Sequence, residues 1–378
     1  MTICKIGVLF ANYGPYHIAR TEALYNCLKE RNWQVVGIEL ARSAAEYPWQ
    51  NKVTSLPFSI VTLITNQQLE QAKISKLLQQ LPTVLNEINP DALVIAGYAN
   101  PAMLSALTWC LLHRKIAILL SDSKEDDTTR SWWREAFKRW IVKRYKAALV
   151  AGKPHKRYLV KLGMAPEAIF LGYDVVGNES FHPHKIKHLP KKLDRNYFLS
   201  SNRFIPKKNI FFLLSAYSTY RQTVGYDAWD LVLCGDGSLR PQIEQHINDL
   251  EIKDFVHLPG FLQQDELLPH FAHASCFIHA SIQEQWGLVV NEAMAAGLPV
   301  LVSNRCGCFE DLIIEGVNGF GFDPENTQEL TNLMVKMSSG AVDLQGMGQA
   351  SLEHIQKFSP DYFSQSLIQA VEYALRHH

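Results

Sequence analysis

The sequence predicts an α/β protein made of two successive domains, each built on a parallel β-sheet. Three observations support this prediction. The chain has 378 residues, which is more than one hydrophobic core usually serves. Short apolar runs alternate with longer amphipathic segments, as the strands and helices of a parallel sheet do. A polar stretch with two prolines, residues 177–195, interrupts this alternation and is predicted to be a linker.

The first domain is predicted to contain residues 1–185. We expect its strands at 5–11, 33–40, 91–97 and 116–122, and its helices at 18–32, 73–90, 101–115 and 130–146. Proline removes a backbone donor and clashes with the preceding turn, so the second of these helices is expected to break at Pro82.

The second domain is predicted to contain residues 186–357, with a helix at 358–378 that packs back on the first domain. We expect its strands at 197–204, 229–235, 254–261, 275–281 and 299–304, and its helices at 209–223, 239–251, 265–274 and 288–296. Gly297 and Pro299 end the last of these helices.

The amino-acid composition excludes few classes of function. Lys plus Arg and Asp plus Glu number 37 each, so the net charge indicates no polyanionic partner. Cys234 and Cys276 lie in apolar runs and are expected in buried strands. Cys306 and Cys308 form a C-x-C pair without a second ligand pair, so no metal site is predicted. The N-terminal apolar run is too short to span a bilayer, and we expect a cytoplasmic protein with reduced thiols.

Ligands of doubly wound sheets bind beyond the carboxyl ends of the strands, so the strand-to-helix turns are the candidate site. Gly14 follows the first strand without a G-x-G-x-x-G pattern. It either lets the backbone approach a phosphate or only forms the turn before a helix. Gly235 and Gly237 begin that pattern, but Arg240 stands where the third glycine belongs. An NAD site is therefore excluded, and these glycines are expected to form a tight turn that lines a pocket.

Two further turns carry charge. Arg203 and Lys208 follow the strand that opens the second domain, where they form either a diphosphate site or a solvated basic loop. Glu284 precedes the helix that starts after Gly287, and Glu292 lies about one turn into it. A helix N-terminus favours phosphate, and a carboxylate accepts hydrogen bonds from vicinal hydroxyls of a sugar. Alternatively, Glu284 only satisfies a helix-terminus preference and Glu292 is solvent-exposed.

These residues resemble the motifs of the retaining family 4 glycosyltransferases. Glu284 and Glu292 match the Glu-x7-Glu motif, and Arg203 and Lys208 match Arg-x4-Lys. The resemblance implies a GT-B fold, with two Rossmann-like domains whose parallel sheets face each other across a cleft. It also implies an enzyme of hexosyltransferase type that moves a sugar from a nucleotide-sugar, UDP-sugar by family frequency, to a glycan, lipid-linked or small-molecule acceptor.

The resemblance assigns a role to each candidate residue. Arg203, Lys208 and Glu284 would be catalytic, and Tyr16, His17 and Asp122 are candidates on the acceptor side. The donor would be bound by Gly14, Gly235, Gly237, Gly260, Phe261, Leu262, Gly287, Leu288, Val289 and Glu292. No metal or cofactor is expected, since the two cations would stabilise the leaving diphosphate.

The sequence departs from the family pattern at four places. Cys306-Gly307 stands where the family usually has Gly-Gly, and Asn209 replaces the glycine that usually follows the lysine. Gly14 is single where many members have two glycines. Ser121-Asp122 replaces a His-Asp pair, which leaves the acceptor-side chemistry open.

Residues 130–161 contain eleven Lys or Arg and one acidic residue, together with Trp132, Trp133, Trp140 and Tyr145. Two interpretations stay open. The segment makes peripheral contact with an anionic membrane at its inner face, or its helix buries Trp and Ile on the sheet and leaves the lysines solvated. No nucleic-acid recognition motif is present. The remaining functional alternatives are a nucleotide-sugar epimerase or phosphorylase of the same fold and a non-catalytic sugar-binding subunit.

Overall fold

The computed structural model describes residues 5–43, 55–127 and 131–377. The chain divides into two compact units, of which the first is Met1–Gly177 with Phe358–His378 and the second is Asn178–Lys357. The division lies between residues 177 and 178, whereas the boundary predicted from the sequence lies after residue 185. The final segment, predicted to return to the first domain, is counted in the first unit.

The first unit is built on a seven-stranded parallel sheet within its described residues. Its strands are β1 (Lys5–Phe10), β2 (Gln34–Ser43), β3 (Ser59–Gln68), β4 (Ala92–Ala96), β5 (Ile116–Ser121), β6 (Ala147–Val150) and β7 (Ile169–Leu171). They lie in the order β3-β2-β1-β4-β5-β6-β7. The order therefore reverses between β1 and β4.

Helices cover the first sheet on two faces, each with its own apolar cluster. They are α1 (Pro15–Lys29), α2 (Ile74–Ile88), α3 (Pro101–Leu112), α4 (Trp132–Val142), α5 (Lys153–Lys161) and the C-terminal α14 (Pro360–Arg376). Helix α14 packs on α1 and on strands β5 to β7. This packing joins the end of the chain to the unit that contains its beginning.

The second unit repeats the same plan with six parallel strands. They are β8 (Tyr197–Ser201), β9 (Asp230–Cys234), β10 (Val256–Gly260), β11 (Cys276–His279), β12 (Val300–Ser303) and β13 (Gly319–Phe322), in the order β10-β9-β8-β11-β12-β13. The helices are α6 (Pro183–Ile186), α7 (Ile210–Val224), α8 (Arg240–Asp249), α9 (Gln264–His273), α10 (Leu288–Ala295), α11 (Phe309–Leu312), α12 (Thr327–Ser338) and α13 (Leu344–Ile355). Here the order reverses between β8 and β11.

The predicted break at Pro82 is wrong, because α2 continues through this proline. Leu77, Leu81 and Leu85 are all nearly fully buried along one side of the helix. An internal proline costs roughly 3 kcal/mol, while each buried leucine contributes about 2 kcal/mol. The packing of this face therefore outweighs the local preference.

The predicted linker is also corrected by the structure. Residues 178–195 contain α6 and belong to the second unit, where Phe181 and Ile186 are buried. The Phe181 ring packs edge-on against Phe271, with 5.6 Å between the ring centroids. These two apolar side chains thus help to fix a polar segment to the core.

The helix predicted for residues 130–146 is shorter in the structure, where α4 ends at Val142. The next four residues form a turn, with Tyr145 buried, and β6 follows immediately. The sequence analysis did not predict β6, β7 or the edge strand β3. Strand β7 has only three residues and β3 is partly exposed, so neither has the buried apolar run of an internal strand. Strand β6 lies between β5 and β7 with all four residues buried, but its short run follows directly on the turn after α4.

Candidate active site

The candidate residues of the second unit lie in neighbouring loops at one edge of its sheet. All six strands are parallel, so their carboxyl ends share this edge. The loops after β8 and β11 flank the point where the strand order reverses. In doubly wound sheets the connections diverge at this point and leave a crevice for a ligand.

Arg203 and Lys208 both lie in the loop after β8, where Pro206, Lys207 and Lys208 form a short 3₁₀ turn. Asn209 follows with φ = 57°, the left-handed conformation. Asparagine adopts this conformation more readily than most residues, and its side-chain amide also donates to the Pro324 carbonyl at 2.8 Å. Asn209 therefore performs the backbone role of the glycine that the resemblance predicts there.

The glycine loop after β9 packs directly on the loop that carries Arg203. The backbone N–H of Asn202 donates to the Cys234 carbonyl at 2.9 Å, and that of Phe204 donates to the Asp236 carbonyl at 2.8 Å. A Cβ atom on Gly235 would lie 1.8 Å from the Asn202 oxygen. This glycine is thus required for the close approach of the two loops.

The loop after β10 continues the same edge. The N–H of Gly235 donates to the Gly260 carbonyl at 2.7 Å, which fixes the start of this loop beside the glycine turn. Phe261 is exposed and Leu262 is partly buried. Gly237, in the neighbouring turn, is exposed as well. The sheet order therefore brings together Gly235, Gly237, Gly260 and the two apolar side chains predicted beside the nucleobase.

Glu284 lies in the loop after β11 and is the centre of a buried polar cluster. One carboxylate oxygen, Oε2, contacts the Lys208 ammonium, His279 Nε2 at 3.2 Å and Ser281 Oγ at 3.2 Å. The side chains of Glu284 and Lys208 are each 11% exposed. Glu284 therefore contacts specific partners, and its position is not explained by a simple charge preference at a helix end.

The electrostatics of this cluster keep Glu284 ionised. Burial raises the pKa of its carboxyl, but the hydrogen bond from His279 and the charge of Lys208 outweigh that effect and hold the pKa well below its usual range. Burial lowers the pKa of His279, and the nearby Lys208 lowers it further. We therefore assign a neutral His279 that donates its Nε2–H to the carboxylate.

Helix α10 begins directly beside Glu284. Gly287 precedes its first residue with φ = 105°, and a Cβ atom there would lie 3.5 Å from both Glu284 Cγ and His279 Nε2. The first backbone N–H groups of a helix have no partner within it, and Leu288 and Val289 are only partly buried. The start of α10 can accordingly bind an anion next to the Lys208–Glu284 pair.

Glu292 lies one turn into α10 and is 4% exposed, so the alternative of a solvated helix position is wrong. The predicted end of this helix, Ala296, is one residue beyond the observed end at Ala295. Both glutamates are thus buried, one before the helix and one inside it.

The loop after β12 encloses the Glu284 loop from the other side. Gly307 N–H donates to the Glu284 carbonyl at 3.1 Å, and Cys308 N–H donates to the Trp286 carbonyl at 3.1 Å. Cys306 forms an isolated bridge with Glu284 and is buried. The Cys-Gly pair thus makes backbone contacts with the glutamate loop at the place where the family usually has two glycines.

The first unit holds the other candidates after β1 and β5. Gly14 precedes α1, and its N–H donates to His17 Nδ1 at 3.2 Å. The His17 ring packs on Phe10, and burial, reinforced by Arg20, lowers its pKa to about 3. Tyr16 is partly buried on α1, and Asp122 is exposed just after β5. His17 is therefore neutral at physiological pH.

Sequence reasoning missed His279 and Ser281, which complete the cluster around Glu284. Both follow the apolar core of a short strand, and His279 is completely buried. A histidine at the carboxyl end of a strand, five positions before a motif glutamate, was the available signal. The apolar run 275–281 was instead interpreted as a buried strand of the hydrophobic core.

The comparisons with known proteins agree with this geometry. Residues 182–351 match the family described as glycosyl transferases group 1. The matched residues make up most of the second unit, and there the chain resembles the group 1 glycosyl transferases. The resemblance to glycosyltransferases that the sequence motifs predicted is thereby confirmed.

Two curated relatives illustrate the similarity of this chain to known glycosyltransferases. The chain is 24% identical to the sulfoquinovosyl transferase of Arabidopsis thaliana over 299 residues. The alignment covers 75% of this chain and 55% of that protein. The chain is 30% identical over 165 residues to the O-antigen chain mannosyltransferase of Salmonella typhimurium, 43% of each chain. The chain spans about half the length of these curated relatives.

A solved structure shares the fold of this chain over nearly its whole length. The HepE protein of Anabaena, solved in complex with UDP and glucose, aligns over 98% of this chain and 99% of its own with a TM-score of 0.75 and 18% identity. The predicted GT-B fold, with two Rossmann-like parallel-sheet domains, is confirmed. In the described parts of the chain, no helix has both the length and the apolar character needed to cross a bilayer.

Proposed function

We propose that this protein is a retaining glycosyltransferase that moves a sugar from a nucleotide-sugar donor to a glycan, lipid-linked or small-molecule acceptor. The observation that carries the proposal is the contact between Lys208 and Glu284, beside the N-terminus of α10 and at the point where the strand order of the second sheet reverses. A cation, a carboxylate and free helix N–H groups suit a sugar diphosphate, because the diphosphate is anionic and the sugar carries hydroxyls.

In this proposal Lys208 and Arg203 bind the donor diphosphate. Negative charge develops on the departing phosphate as the sugar–oxygen bond breaks, and a preorganised cation stabilises this charge more than it stabilises the ground state. The ammonium group of Lys208 is fixed by Glu284, so little reorganisation is needed. We propose that these cations do the work that a metal ion does elsewhere, and that the enzyme needs no metal or cofactor.

Glu284 and Glu292 bind the hydroxyl groups of the donor. Glu284 remains ionised, so its free carboxylate oxygen can accept a hydrogen bond from the transferred sugar, with the Gly287–Val289 backbone beside it. Glu292, one turn further, would accept from the ribose. Gly260, Phe261 and Leu262 would flank the base, next to the Gly235 and Gly237 turn.

We propose a same-face attack in which the departing phosphate takes the proton of the acceptor hydroxyl, so that no protein base is required. Neutral His17 then serves to position groups near Gly14, together with Tyr16, and Asp122 is the remaining candidate on the acceptor side. A UDP-sugar is the proposed donor. Family frequency supports this choice, and HepE, a structural neighbour, was solved with UDP and glucose.

Saturation-transfer NMR against UDP-, GDP- and ADP-sugars tests the proposal. We expect the protons of one donor to receive saturation from the wild type and from Glu353→Ala, an exposed helical glutamate on α13, but not from Glu292→Ala. Binding of no donor would contradict the proposal. Analysis of the product then separates transfer from the epimerase alternative, which would leave the sugar unattached to an acceptor, and from the non-catalytic alternative, which would release no nucleotide.

We also propose that residues 130–161 make peripheral contact with a membrane, which would bring the enzyme to lipid-linked acceptors. In the structure, residues 131–161 contain α4, the strand β6 and α5, and the exposed tryptophans Trp132, Trp133 and Trp140 lie on α4.

A further inference from the structure

Helix α4 presents a row of aromatic side chains to solvent. Trp133, Phe137 and Trp140 are spaced by four and three residues, so they lie on one side of the helix, and their exposed fractions are 56%, 52% and 56%. Trp132, at the first position of the helix, is 84% exposed. Phe137 and Trp140 stack on each other, with 6.3 Å between the ring centroids.

The opposite side of α4 is already packed. Ile141 and Val142 are 1% and 0% exposed and belong to the apolar cluster of the first unit. The interpretation that this helix buries its Trp and Ile face is therefore half wrong: Ile141 is inside, and the tryptophans are outside. Among the described residues, the aromatic row is a second apolar face that the packing of the unit does not use. Contiguous exposed apolar groups of this kind mark interaction surfaces.

Cations flank the aromatic row. The Arg134 guanidinium lies 5.1 Å from the centre of the Trp133 ring, and that of Arg144 lies 4.9 Å from the centre of the Trp140 ring. Arg139 and Lys143 are exposed on the same outer part of the helix and the turn after it. The aromatic face is thus bordered by positive charge on both sides and at its end.

Negative charge is almost absent from this helix and from the turn after it. Residues 132–146 contain six Lys or Arg and one acidic residue, Glu135. Glu135 pairs with Lys138 at 3.1 Å and accepts from the Tyr158 hydroxyl at 2.9 Å. Its charge is therefore compensated on the inner side of the helix, and the outer side stays positive.

We propose that this face of α4 docks on the surface of an anionic lipid bilayer. Aromatic rings, tryptophan above all, prefer the boundary between head groups and acyl chains, where the ring is apolar and the indole N–H can still bond to water. The bordering Arg and Lys lie at the depth of the lipid phosphates and attract them. A helix of 11 residues with one apolar and one core-packed side lies in the plane of the membrane surface and does not enter further.

Docking on an anionic bilayer rests on the proposed function and deepens it, because it would bring the enzyme to lipid-linked acceptors. The docking itself needs no sugar donor. Vesicle binding and donor binding can accordingly fail independently. A protein that docked only on neutral apolar surfaces would not need the border of cations. A polyanion such as RNA would use the cations and gain little from the row of apolar rings.

The test is co-sedimentation of the full chain with two kinds of phosphatidylcholine vesicle. One kind contains no phosphatidylglycerol, and the other contains about 30% of it, which gives the vesicle surface a negative charge. We expect the chain to bind only the anionic vesicles. Salt at about 0.5 M should weaken this binding, because it shortens the electrostatic screening length to about 4 Å. Trp133→Ser/Phe137→Ser/Trp140→Ser and Arg139→Gln/Lys143→Gln/Arg144→Gln should each lower the affinity at least about tenfold. All these positions are exposed, so both variants should keep the wild-type thermal stability and donor binding.

The matched control is Ile314→Ser/Val317→Ser, which removes two exposed apolar side chains from the second unit and should leave vesicle binding unchanged. Absence of wild-type binding to anionic vesicles overturns the proposal. Equal binding to neutral vesicles, or wild-type affinity in the triple aromatic variant, overturns it as well. Binding of RNA together with failure to bind vesicles would assign the surface to a nucleic acid instead.

Discussion

The ammonium group of Lys208 contacts the carboxylate of Glu284 across 76 positions of the chain. The contact exists because β8 and β11 are neighbours in the sheet, so the loops at their carboxyl ends start side by side. A buried ion pair contributes little net stability, since removing two charges from water costs about as much as their attraction returns. We therefore interpret this pair as a ligand-binding device that the fold holds ready.

Replacing Lys208 tests this interpretation. Lys208→Ala leaves the buried Glu284 carboxylate without its cation, which should lower the free energy of unfolding by about 3 kcal/mol. It should also slow nucleotide release from the donor at least about 100-fold, because the leaving phosphate loses its preorganised charge. Urea unfolding and initial rates measure the two effects.

Lys207→Ala is the matched control, since it removes the same kind of side chain one position earlier. It should change stability by less than about 0.5 kcal/mol and the rate by less than about threefold. Equal losses in the two variants would show that general loop charge, and not the Lys208–Glu284 contact, is responsible.

Gly287 should be needed for donor binding beyond its effect on stability. Gly287 and Gly340 both have positive φ angles, 105° and 76°, so alanine should cost about 1–2 kcal/mol at either position. A Cβ atom on Gly340 would meet nothing within 4 Å, whereas one on Gly287 would touch Glu284 and His279. Calorimetry should find donor affinity reduced at least about tenfold in Gly287→Ala only. Unchanged affinity in that variant would remove Gly287 from the site.

The ionisation of Glu284 predicts a specific dependence of stability on pH. Its folded pKa lies below the unfolded value of about 4.3, so its contribution is fully present above that value and is lost as the pH falls through it toward the folded pKa. The stability difference between the wild type and Glu284→Gln should be constant from about pH 8 to 5 and shrink below about pH 4. Denaturant titrations at each pH measure this difference. A constant difference down to about pH 3 would mean that Glu284 is not stabilised as a carboxylate.

Asn209 should tolerate glycine and reject valine. Its φ of 57° suits glycine, so Asn209→Gly should lose only the hydrogen bond to the Pro324 carbonyl, about 1 kcal/mol. Asn209→Val should lose a further 1–2 kcal/mol or so, because a β-branched side chain disfavours the left-handed conformation. Thermal unfolding and donor affinity of the two variants check this. Equal stability would show that the turn after Lys208 adapts to the substitution.

The first five strands of the second unit were predicted from the sequence because apolar runs mark them and helices with clear ends separate them, whereas the short edge strand β13 was not predicted. The bounds of α10 were predicted to within one residue. The contact between Lys208 and Glu284 was not predicted, although both residues were assigned to the site, since it depends on which strands are neighbours. No local pattern encodes that order.

Other errors came from packing that overrides local preference. Pro82 lies inside a helix that its leucines hold in place, and Phe181 fixes a segment that has the composition of a linker. The tryptophans of α4 were expected to be either buried or in contact with a membrane. The structure shows them exposed opposite a packed face, which excludes their burial on the sheet.

The most direct test of the account is calorimetric titration of the wild type and Lys208→Ala with UDP, GDP and ADP and with the corresponding nucleoside monophosphates. We predict that the wild type binds one diphosphate at least about tenfold more tightly than its monophosphate, and that Lys208→Ala abolishes this difference. A wild type that does not distinguish diphosphate from monophosphate, or a Lys208→Ala protein that still does, would contradict the claim that Lys208 and the start of α10 form the donor diphosphate site.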